Sequence, residues 1–315
     1  MRPELRDVKG VPGVLAPLRI TVLMGGPSAE REVSLSSGRA IADALESLGH
    51  RVRRADISPD DLSALAEPAD VVFIALHGTW GEDGRLQAIL EKRGIRYTGC
   101  DARASALAMD KVRTKRRFGE AGVPTPVFEH VTASNAAQVA ERFDVPAVVK
   151  PVAEGSSVDC VIARDRSAFV AVLKRLVDRY GEALAERYLK GPELTVGVLG
   201  GRALPVCQIR PGSEFYDYHA KYEAEDTEYV FDIDLPAEVL RGVQDLSVRA
   251  FEALGCRDMA RIDWIVESAS GQPFCLEANT IPGFTDHSLL PKAAAREGIA
   301  FADLCQRIVE LAMAR

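Results

Sequence analysis

The sequence predicts an α/β protein whose first third folds as a largely parallel sheet. Short β-branched runs alternate there with helical periodicity, and three of the runs are strand-sized: Arg19–Met24, Val52–Ile57 and Ala69–Leu76. Strands that alternate with helices at this spacing form βαβ units. Gly25-Gly26 and His77-Gly78 follow two of these strands, so we expect them at the carboxyl edge, where open α/β sheets bind ligands.

The helices of this first third are predicted from apolar spacing and from stop signals. In the first helix, apolar residues at helical spacing precede a glycine stop: Ile41, Leu45, Leu48 and Gly49. Two more helices are predicted over Leu86–Arg93 and Ala102–Glu120. The glycine- and proline-rich segment Gly122–Pro126 then predicts a lobe boundary.

Beyond this boundary, strands and helices are predicted in mixed order. The strands are Val145–Lys150, Tyr188–Leu199 with a turn at Gly191-Pro192, Met259–Val266 and Pro273–Glu277. The helices are Phe169–Tyr180, Ala237–Leu254 and Phe301–Ala314. Residues Gly212–Tyr229 are polar and aromatic with little period, which predicts a long functional loop.

Length and composition exclude several classes of protein. The 315 residues suffice for two or three compact units, and 47% hydrophobic residues is typical of a globular chain. The net charge of −7 disfavours a nucleic-acid binder, although a local basic cleft is compatible with it. No apolar run approaches the ~20 residues that cross a bilayer, and the N-terminus lacks the pattern of a signal peptide. We therefore expect a cytoplasmic protein with no membrane or nucleic-acid partner.

Cysteine spacing and glycine motifs narrow the chemistry further. The six cysteines are scattered without a C-x-x-C pair, which favours buried reduced thiols over a zinc site. The chain has no G-x-x-x-x-G-K-[ST] segment, so a P-loop is excluded, and no G-x-G-x-x-G follows the first strand.

Polar residues alternate along the two strands near the C-terminus. Arg261 and Asp263 share one face of the first strand, and Glu277 and Asn279 share one face of the second. If the strands pair, two carboxylates, an amide oxygen and a guanidinium lie together. Such oxygens suit Mg²⁺, and the arginine would counter charge on a transferring phosphoryl group. The weaker alternative is an ordinary half-exposed strand face with a surface ion pair.

The glycine turn after the first strand carries a second group of polar residues. Ser28 is a candidate helix cap, with Glu32 in the first helical turn. Glu30 lies at the carboxyl edge of the sheet, where its carboxylate would suit a substrate ammonium. His77 is equally compatible with a structural role and with a ligand contact.

Two lysines and one short loop are weaker signals. Lys111 and Lys150, each taken alone, are more typical of solvated lysines. Glu154–Ser157 has backbone amides and hydroxyls that would fold over phosphates, but most such loops are plain turns.

Together these segments resemble the D-alanine–D-alanine ligases of the ATP-grasp superfamily, from about Arg19 to the C-terminus. The matching stretches are Gly25–Ser34, Ala75–Gly78 with Gly81–Gly84, Met109–Lys111, Val149–Pro151 with Glu154–Ser157, Gly191–Glu193, Phe215–Tyr218 with Ala220–Tyr222, Arg261–Asp263, Leu276–Thr280 with Pro282-Gly283, and His287–Leu289. The resemblance implies an N-terminal parallel-sheet (Rossmann-like) lobe followed by a two-lobed ATP-grasp fold. The implied domains are a substrate-binding domain over 17–110, a central lobe over 111–205 and a C-terminal lobe over 206–315.

The resemblance also implies an activity. The carboxylate of a first D-alanine would attack the γ-phosphate of ATP, and the amine of a second D-alanine would then displace phosphate from the acyl phosphate. The dipeptide would serve peptidoglycan synthesis in the cytoplasm. The implied cofactors are ATP and two Mg²⁺ ions, for which Mn²⁺ would substitute, and the implied assembly is a homodimer.

By match to the family's motifs, each site residue has an implied role. Glu30 would hold the first ammonium, in a hydrogen-bond triad with Ser156 and Tyr222 that closes the long loop over the site. His77, Ser288 and Leu289 would contact substrate, and Arg261 with the amide of Gly283 would stabilise the tetrahedral oxyanion. The implied ATP contacts are Lys111, Lys150 and Lys221 at the phosphates and Glu186 and Glu193 at adenine and ribose. The implied metal ligands are Asp263, Glu277 and Asn279.

The sequence departs from the family pattern at two positions. Asp159 stands where these ligases usually carry glycine, which would stiffen or reposition the phosphate loop. Arg187 stands where many relatives have lysine, and its backbone would still serve adenine.

Three alternatives are less favoured. A ligase that joins D-alanine to D-lactate is disfavoured by Tyr222, and an ATP-grasp ligase for another amino acid or carboxylate by Glu30 and Ser288. A catalytically idle nucleotide-binding regulator is disfavoured because Asp263, Glu277 and Asn279 are all present.

Overall fold

The N-terminal sheet is parallel, as the alternation of strands and helices predicts. The computed structural model describes residues 16–210 and 227–315. Its first sheet has the order β2-β1-β3, with β1 at Arg19–Gly25, β2 at Arg51–Ile57 and β3 at Val71–Ile74. Both pairings are parallel, so the loops that follow β1 and β3 meet at one edge of the sheet.

Helix α1 (Arg31–Ser47) covers one face of this sheet, and α2 (Arg85–Lys92) covers the other. The predicted cap at Ser28 is wrong, because α1 begins at Arg31 with Glu30 in the cap position. Ser28 instead donates its hydroxyl to the carbonyl oxygen of His77 at 2.7 Å and so ties the two edge loops together. Glu32 lies in the first turn, as predicted.

The single helix predicted over Ala102–Glu120 is two helices, α3 (Ala102–Met109) and α4 (Lys111–Glu120). Asp110 separates them. Its backbone is extended, with ψ at 101°, and its carboxylate accepts a hydrogen bond from the amide of Arg113, as an N-cap residue does. The break places Lys111 on the first turn of α4.

The central lobe is a four-stranded antiparallel sheet with the order β4-β7-β5-β6. Its strands are β4 (Phe128–Thr132), β5 (Ala147–Lys150), β6 (Val161–Ala163) and β7 (Glu182–Arg187). Helices α5 (Ala136–Arg142) and α6 (Arg166–Tyr180) pack on it through a shared apolar core. The predicted strand Tyr188–Leu199 is wrong in its first part, since residues 188–192 form the connection between β7 and the next strand.

The C-terminal sheet has the order β11-β10-β8-β12-β13, and β9 pairs with β8. Its strands are β8 (Glu193–Leu199), β9 (Arg202–Ala203), β10 (Cys207–Arg210), β11 (Glu228–Val230), β12 (Met259–Val266) and β13 (Pro273–Asn279). Helix α7 (Ala237–Leu254) packs on this sheet, with the bounds predicted from the sequence. Of the predicted loop Gly212–Tyr229, residues 212–226 lie outside the described residues, and the prediction is wrong at its end because Glu228 and Tyr229 belong to β11.

The pairing of strand β8 indicates where the central lobe ends. It pairs with β12 along its whole length, although the predicted central lobe runs to residue 205. We therefore propose that the central lobe ends in the connection at residues 188–192. The two last helices, α8 (Leu289–Arg296) and α9 (Phe301–Met313), share an apolar core with β1, β3 and α1, so the C-terminal segment braces the N-terminal sheet.

Within residues 16–210 and 227–315, the structure contains no helix that is both long enough and apolar enough to cross a bilayer.

Candidate active site

Two adjoining cavities collect the predicted site residues of the described chain. The first cavity has a volume of about 610 Å³ and lies between the carboxyl edge of the N-terminal sheet, the loop at 154–160 and the ends of β12 and β13. It is lined by Glu30, His77, Lys111, Ser156, Arg261, Glu277, Asn279, Gly283, Ser288 and Leu289. The second cavity, of about 310 Å³, is lined by Lys111, Lys150, Glu186, Glu193, Asp263 and Glu277. Lys111 and Glu277 line both, while Lys221 and Tyr222 lie outside the described residues.

The four polar residues of the last two strands do come together. Strands β12 and β13 pair antiparallel, with Arg261 opposite Asn279 and Asp263 opposite Glu277, which confirms the in-phase prediction. The Arg261 guanidinium donates to the Asp263 carboxylate through Nε at 2.9 Å and Nη2 at 2.8 Å. Thr195 on β8 donates its hydroxyl to the same carboxylate at 2.6 Å. The two charged side chains are only 13% and 15% exposed, so this is no surface ion pair.

This face suits a magnesium ion in number and type of donor. Asp263, Glu277 and Asn279 offer two carboxylates and an amide oxygen on adjacent strands. The described residues hold no cluster of three or more histidine, cysteine, aspartate or glutamate side chains that would bind a metal by themselves. Mg²⁺ commonly takes one or two carboxylates and completes its shell with water and substrate phosphates, so the donor set fits that ion.

Glu30 bridges three loops at the edge of the first sheet. Ser156 donates its hydroxyl to Glu30 Oε1, which closes the loop at 154–160 against the N-terminal lobe. Gly78 approaches the same carboxylate so closely that a Cβ there would lie 2.6 Å from Glu30 Oε2. Its φ of +68° also favours glycine. The predicted partnership of Glu30 and Ser156 is thus present, and the predicted third member, Tyr222, lies outside the described residues.

His77 is buried between α1 and the segment after β13. Its Nδ1 lies 2.9 Å from the carbonyl oxygen of Ile281, so Nδ1 carries the proton, and Nε2 accepts from the Ser37 hydroxyl at 3.1 Å. Burial lowers the pKa of His77, although the charge of Glu30 opposes this, and the ring is neutral. Both nitrogens are used within the chain, which favours a structural role over a direct ligand contact.

Glu82 is a site residue that the sequence did not single out. It lines the first cavity, where Oε2 accepts from the Gly78 amide at 2.6 Å and Oε1 from the Ile281 amide at 3.1 Å. Burial, and then repulsion from Glu30, raise the pKa of Glu82 to about 8. Its position within Gly81-Glu82-Asp83-Gly84, beside His77-Gly78, was the available signal.

Ser288 occupies the cap position of α8, and Leu289 is the first residue of that helix. The Ser288 hydroxyl accepts from the amide of Thr285 at 3.0 Å, which fixes the turn beside Gly283. A helix N-terminus with free amides attracts carboxylates. The predicted carboxylate contact at Ser288 is therefore chemically reasonable at this end of the first cavity.

The second cavity adjoins a buried cluster of two lysines and one glutamate. Glu186 is 3% exposed, and its oxygens lie 2.6 Å from Lys150 Nζ and 2.7 Å from Lys115 Nζ. Burial alone would raise the pKa of Glu186, but the two ammonium groups outweigh it and hold the pKa low. The cluster carries a net positive charge, which favours an anion in the cavity beside it.

Lys115 was missed at the sequence level because nothing in its local pattern distinguishes it from a solvated lysine. It is fully buried on α4 and donates to Thr125 Oγ1 at 2.7 Å. Burial lowers the pKa of Lys115, although Glu186 opposes this. For Lys150, burial acts in the same direction, but Glu186 prevails and its pKa is raised.

Lys111 stands where the two cavities meet. Its Nζ donates to the carbonyl oxygen of Glu154 at 2.5 Å and lies 3.9 Å from Glu277 Oε2. The side chain is 11% exposed, far from the solvated lysine suggested by its sequence context alone. Glu193, the first residue of β8, lines the second cavity. Arg187 lines the same cavity, and its guanidinium pairs with the Glu267 carboxylate at 3.0 Å.

Known proteins resemble the chain over nearly its full length. The family described as "D-ala D-ala ligase C-terminus" matches residues 118–310, and "D-ala D-ala ligase N-terminus" matches residues 53–100. A D-alanine–D-alanine ligase from Anaeromyxobacter sp. (strain Fw109-5) is 43% identical over 296 residues, which cover 93% of this chain and 96% of the relative.

Solved structures agree with the sequence relatives. The D-alanine–D-alanine ligase of Bacillus anthracis complexed with ATP superimposes with a TM-score of 0.80 at 32% identity, covering 94% of this chain and 98% of that one. A D-Ala:D-Ser ligase from Enterococcus faecalis superimposes with a TM-score of 0.83 at 27% identity, covering 94% and 100%. The arrangement of the two cavities and these likenesses lead to one conclusion: the chain belongs to the D-alanine–D-alanine ligase family of ATP-dependent ligases, which serves peptidoglycan synthesis.

Proposed function

We propose that this ligase joins two D-alanine molecules through a D-alanyl phosphate, with the amino acids in the first cavity and ATP in the second. The observation that carries the proposal is that Lys111 and Glu277 line both cavities, so the two cavities adjoin there. A carboxylate bound in the first cavity would thereby lie next to a phosphate bound in the second. Holding two reactants in this relation supplies much of what phosphoryl transfer requires.

The first D-alanine would bind with its ammonium at Glu30. The carboxylate of Glu30 is held by Ser156 and offers the negative charge that an ammonium needs. The substrate carboxylate then attacks the γ-phosphorus, an O–P bond forms, and ADP leaves. Lys111 and Lys150 would bind the phosphates, and the buried cluster around Glu186 supports Lys150 in that role.

The second D-alanine would bind with its carboxylate at Ser288 and the N-terminus of α8. Its neutral amine attacks the acyl carbon, the tetrahedral oxyanion forms, and phosphate leaves with the bridging oxygen. Arg261 and the amide of Gly283 would stabilise that oxyanion, since both line the first cavity. Leu289 would contact the methyl group.

We propose Asp263, Glu277 and Asn279 as ligands of two Mg²⁺ ions, for which Mn²⁺ would substitute. When bound, the ions neutralise the phosphate charge and orient the transferring group. Glu186 and Glu193 would serve the adenosine moiety. Lys221 at the phosphates and Tyr222 beside Ser156 stay predictions, as do the domain ranges, except that we propose residues 188–192 as the end of the central lobe.

The setting of the enzyme is also a proposal. ATP and free amino acids are cytoplasmic reactants, and all six cysteines are free thiols, which suits a reducing compartment. A homodimer stays a prediction from the family resemblance, and light scattering of the purified protein would test it.

A coupled assay tests the proposed function directly. We expect phosphate release from ATP that requires both D-alanine and Mg²⁺ and is nearly absent with L-alanine, together with one dipeptide per phosphate. Release that is equal for the two enantiomers, or that yields no dipeptide, would contradict the proposal.

A second candidate follows from the likeness to the D-Ala:D-Ser ligase, which has this fold and a different second substrate. Adding D-serine and D-lactate to the assay separates the candidates. Release with D-lactate at neutral pH equal to that with D-alanine would favour a depsipeptide ligase, and a preference for D-serine would favour the D-Ala:D-Ser reaction.

A further inference from the structure

The loop at residues 154–160 forms the wall between the two cavities and has an unusual backbone. Three of its non-glycine residues have left-handed φ angles: Ser156 at +49°, Ser157 at +58° and Asp159 at +54°. Two successive turns build it, through bonds from Val158 N to Gly155 O and from Cys160 N to Ser157 O, both 3.1 Å. Residues other than glycine reach such φ angles at an energetic cost, so the surrounding contacts must hold the loop in this shape.

Asp159 provides one of those contacts. Its carboxylate accepts hydrogen bonds from the Tyr180 hydroxyl at 2.6 Å, from Arg175 Nη1 at 2.9 Å and from Arg179 Nη1 at 2.9 Å. The Asp159 side chain is 13% exposed, whereas the two arginines are 50% and 62% exposed and cover it from the solvent side. The bond from Tyr180, followed by the charges of Arg179 and Arg175, lowers the pKa of Asp159, so the group is ionised near neutral pH.

The three donors belong to the last turns of α6, a helix that is held in place by its packing in the central lobe. Phe169, Leu173 and Leu176 are buried in the core of the central lobe, and Tyr180 packs against the same core. Arg175 and Arg179 are one turn apart, and two like charges at that spacing repel each other. Asp159 lies between them and relieves that repulsion, so the helix end and the loop stabilise one another.

The other end of the loop is attached to a different lobe. Ser156 donates to Glu30 at the edge of the N-terminal sheet, and Lys111 donates to the carbonyl oxygen of Glu154. Ser157, Val158 and Cys160 line the second cavity, between these attachments and Asp159. A shift of the Asp159 anchor would therefore move the groups that face a nucleotide phosphate.

We propose that Asp159 is a positioning residue, which fixes the phosphate side of this loop to α6 and so sets the affinity for ATP and the exclusion of water from the acyl phosphate. The proposal rests on the proposed function for the identity of the nucleotide. Glycine at this position would adopt the same φ freely but would have no side chain to anchor. The hydrogen bonds of the Asp159 carboxylate thus hold the loop in one position, which a glycine at this position could not do.

Three variants separate anchoring from folding. Asp159→Gly removes the anchor while relieving the backbone cost at φ +54°, so the fold is expected to persist. Tyr180→Phe removes a single 2.6 Å bond and leaves the carboxylate in place. Asp159→Asn keeps an acceptor of the same length and should restore part of the function. The matched control is Asp178→Asn on the same helix, because Asp178 pairs with Lys174 at 2.8 Å and is 64% exposed.

For Asp159→Gly we expect the KM for ATP to rise about tenfold or more, since misplacing a binding group by about 1 Å can cost up to about 100-fold in rate. We also expect more than one phosphate per dipeptide, because water reaches the acyl phosphate and hydrolyses it to D-alanine and phosphate. Tyr180→Phe and Asp159→Asn should lie between Asp159→Gly and the parent enzyme, and Asp178→Asn should match the parent. Hydrogen exchange, followed by mass spectrometry, should rise at residues 155–160 and stay unchanged in the core of α6.

Two results would overturn the proposal. One is an Asp159→Gly enzyme with the parent's KM for ATP, phosphate-to-dipeptide ratio and loop exchange. The other is a uniform rise in exchange across the central lobe with kcat and KM for ATP unaffected per folded molecule, which would make Asp159 a stability residue only. If the parent chain itself released no phosphate with D-alanine, the proposed function would fail instead, and loop exchange would still test the anchor.

Discussion

The two cavities differ in how their charged groups are held. In the first cavity, Glu82 and His77 bond to backbone amides, to a backbone carbonyl and to the Ser37 hydroxyl. In the second, Lys115, Glu186 and Lys150 are bonded to one another inside the central lobe. The first arrangement presents single groups to a small zwitterion. The second arrangement places two lysines and one glutamate together inside the central lobe.

This difference separates binding from stability. A group held by a loop can be lost without loss of packing, so its removal should act mainly on binding or chemistry. A buried charge cluster cannot lose one member without leaving the others uncompensated in a poorly solvated place. We therefore expect substitutions in the buried cluster of the second cavity to affect folding and binding together. Substitutions in the first cavity should act mainly on binding or chemistry, with the pH-dependent contribution of Glu82 as the exception.

The largest effect is expected from Glu186→Gln, which leaves two buried ammonium groups without a counter-charge. We expect the free energy of unfolding to fall by about 3–5 kcal/mol, measured by urea titration followed by circular dichroism. The control is Glu182→Gln on the same strand, where a 43% exposed carboxylate pairs with His130. It should change stability by no more than about 0.5 kcal/mol. Equal, small losses in both variants would mean that the cluster does not support the fold.

Arg261→Ala tests the role of Arg261 in the first cavity. We expect kcat to fall about 100- to 1000-fold, because an oxyanion donor acts on the transition state, while the KM for ATP stays close to that of the parent. Thr195 still bonds Asp263 in this variant, so we expect the face proposed to bind metal to be retained. Steady-state kinetics with ATP and D-alanine varied in turn would measure both constants. Turnover equal to that of the parent would contradict the role given to Arg261.

Glu30→Gln tests whether the first cavity binds an ammonium. Replacing a charged acceptor by a neutral one should raise the KM for D-alanine about 10- to 100-fold, as a charge-assisted hydrogen bond is worth about 1.5–3 kcal/mol. The KM for ATP and the melting temperature should not change. Glu32→Gln is the matched control, since Glu32 is an exposed acid in the same cavity. A parallel loss of ATP affinity would remove the distinction between the cavities.

The last effect is a pH dependence of stability that comes from Glu82. Its pKa is about 8 in the folded chain against an ordinary value of 4.5, so the folded state retains a proton that the unfolded state has released between these values. Stability therefore falls as pH rises through this window, by about 1.4 kcal/mol per pH unit for this group. Glu82→Gln cannot titrate and should lack that part of the slope. Thermal unfolding of both proteins from pH 5 to 8 would give parallel curves if the Glu82 carboxyl were not held protonated.

The sequence predicted best where a local period fixes the geometry. The alternation along β12 and β13 predicts that Arg261 and Asp263 share one face of the first strand and that Glu277 and Asn279 share one face of the second. The observed pairing of the two strands brings the four residues together. The bounds of α7 followed from its apolar period in the same way. The break between α3 and α4 had a signal too, since Asp110 is a residue type that favours helix caps.

Contacts between segments that are distant in the sequence could not be predicted from local patterns. Lys115 and Glu186 are 71 positions apart and meet because α4 packs on the central sheet, a relation that no local pattern encodes. Short elements such as β4 and α5 were missed because five- and seven-residue segments carry too little period. Ser28 is a candidate cap by its residue type and its place after the glycine turn, whereas its hydroxyl bonds a loop 49 positions away.

The most direct test of the account is an isotope transfer. With D-alanine labelled with ¹⁸O in its carboxylate, attack on the γ-phosphorus moves one labelled oxygen into the phosphate that the second amine later displaces. Mass spectrometry of the released phosphate should show one ¹⁸O per dipeptide formed. Unlabelled phosphate accompanying the dipeptide would contradict a D-alanyl phosphate formed between the two cavities.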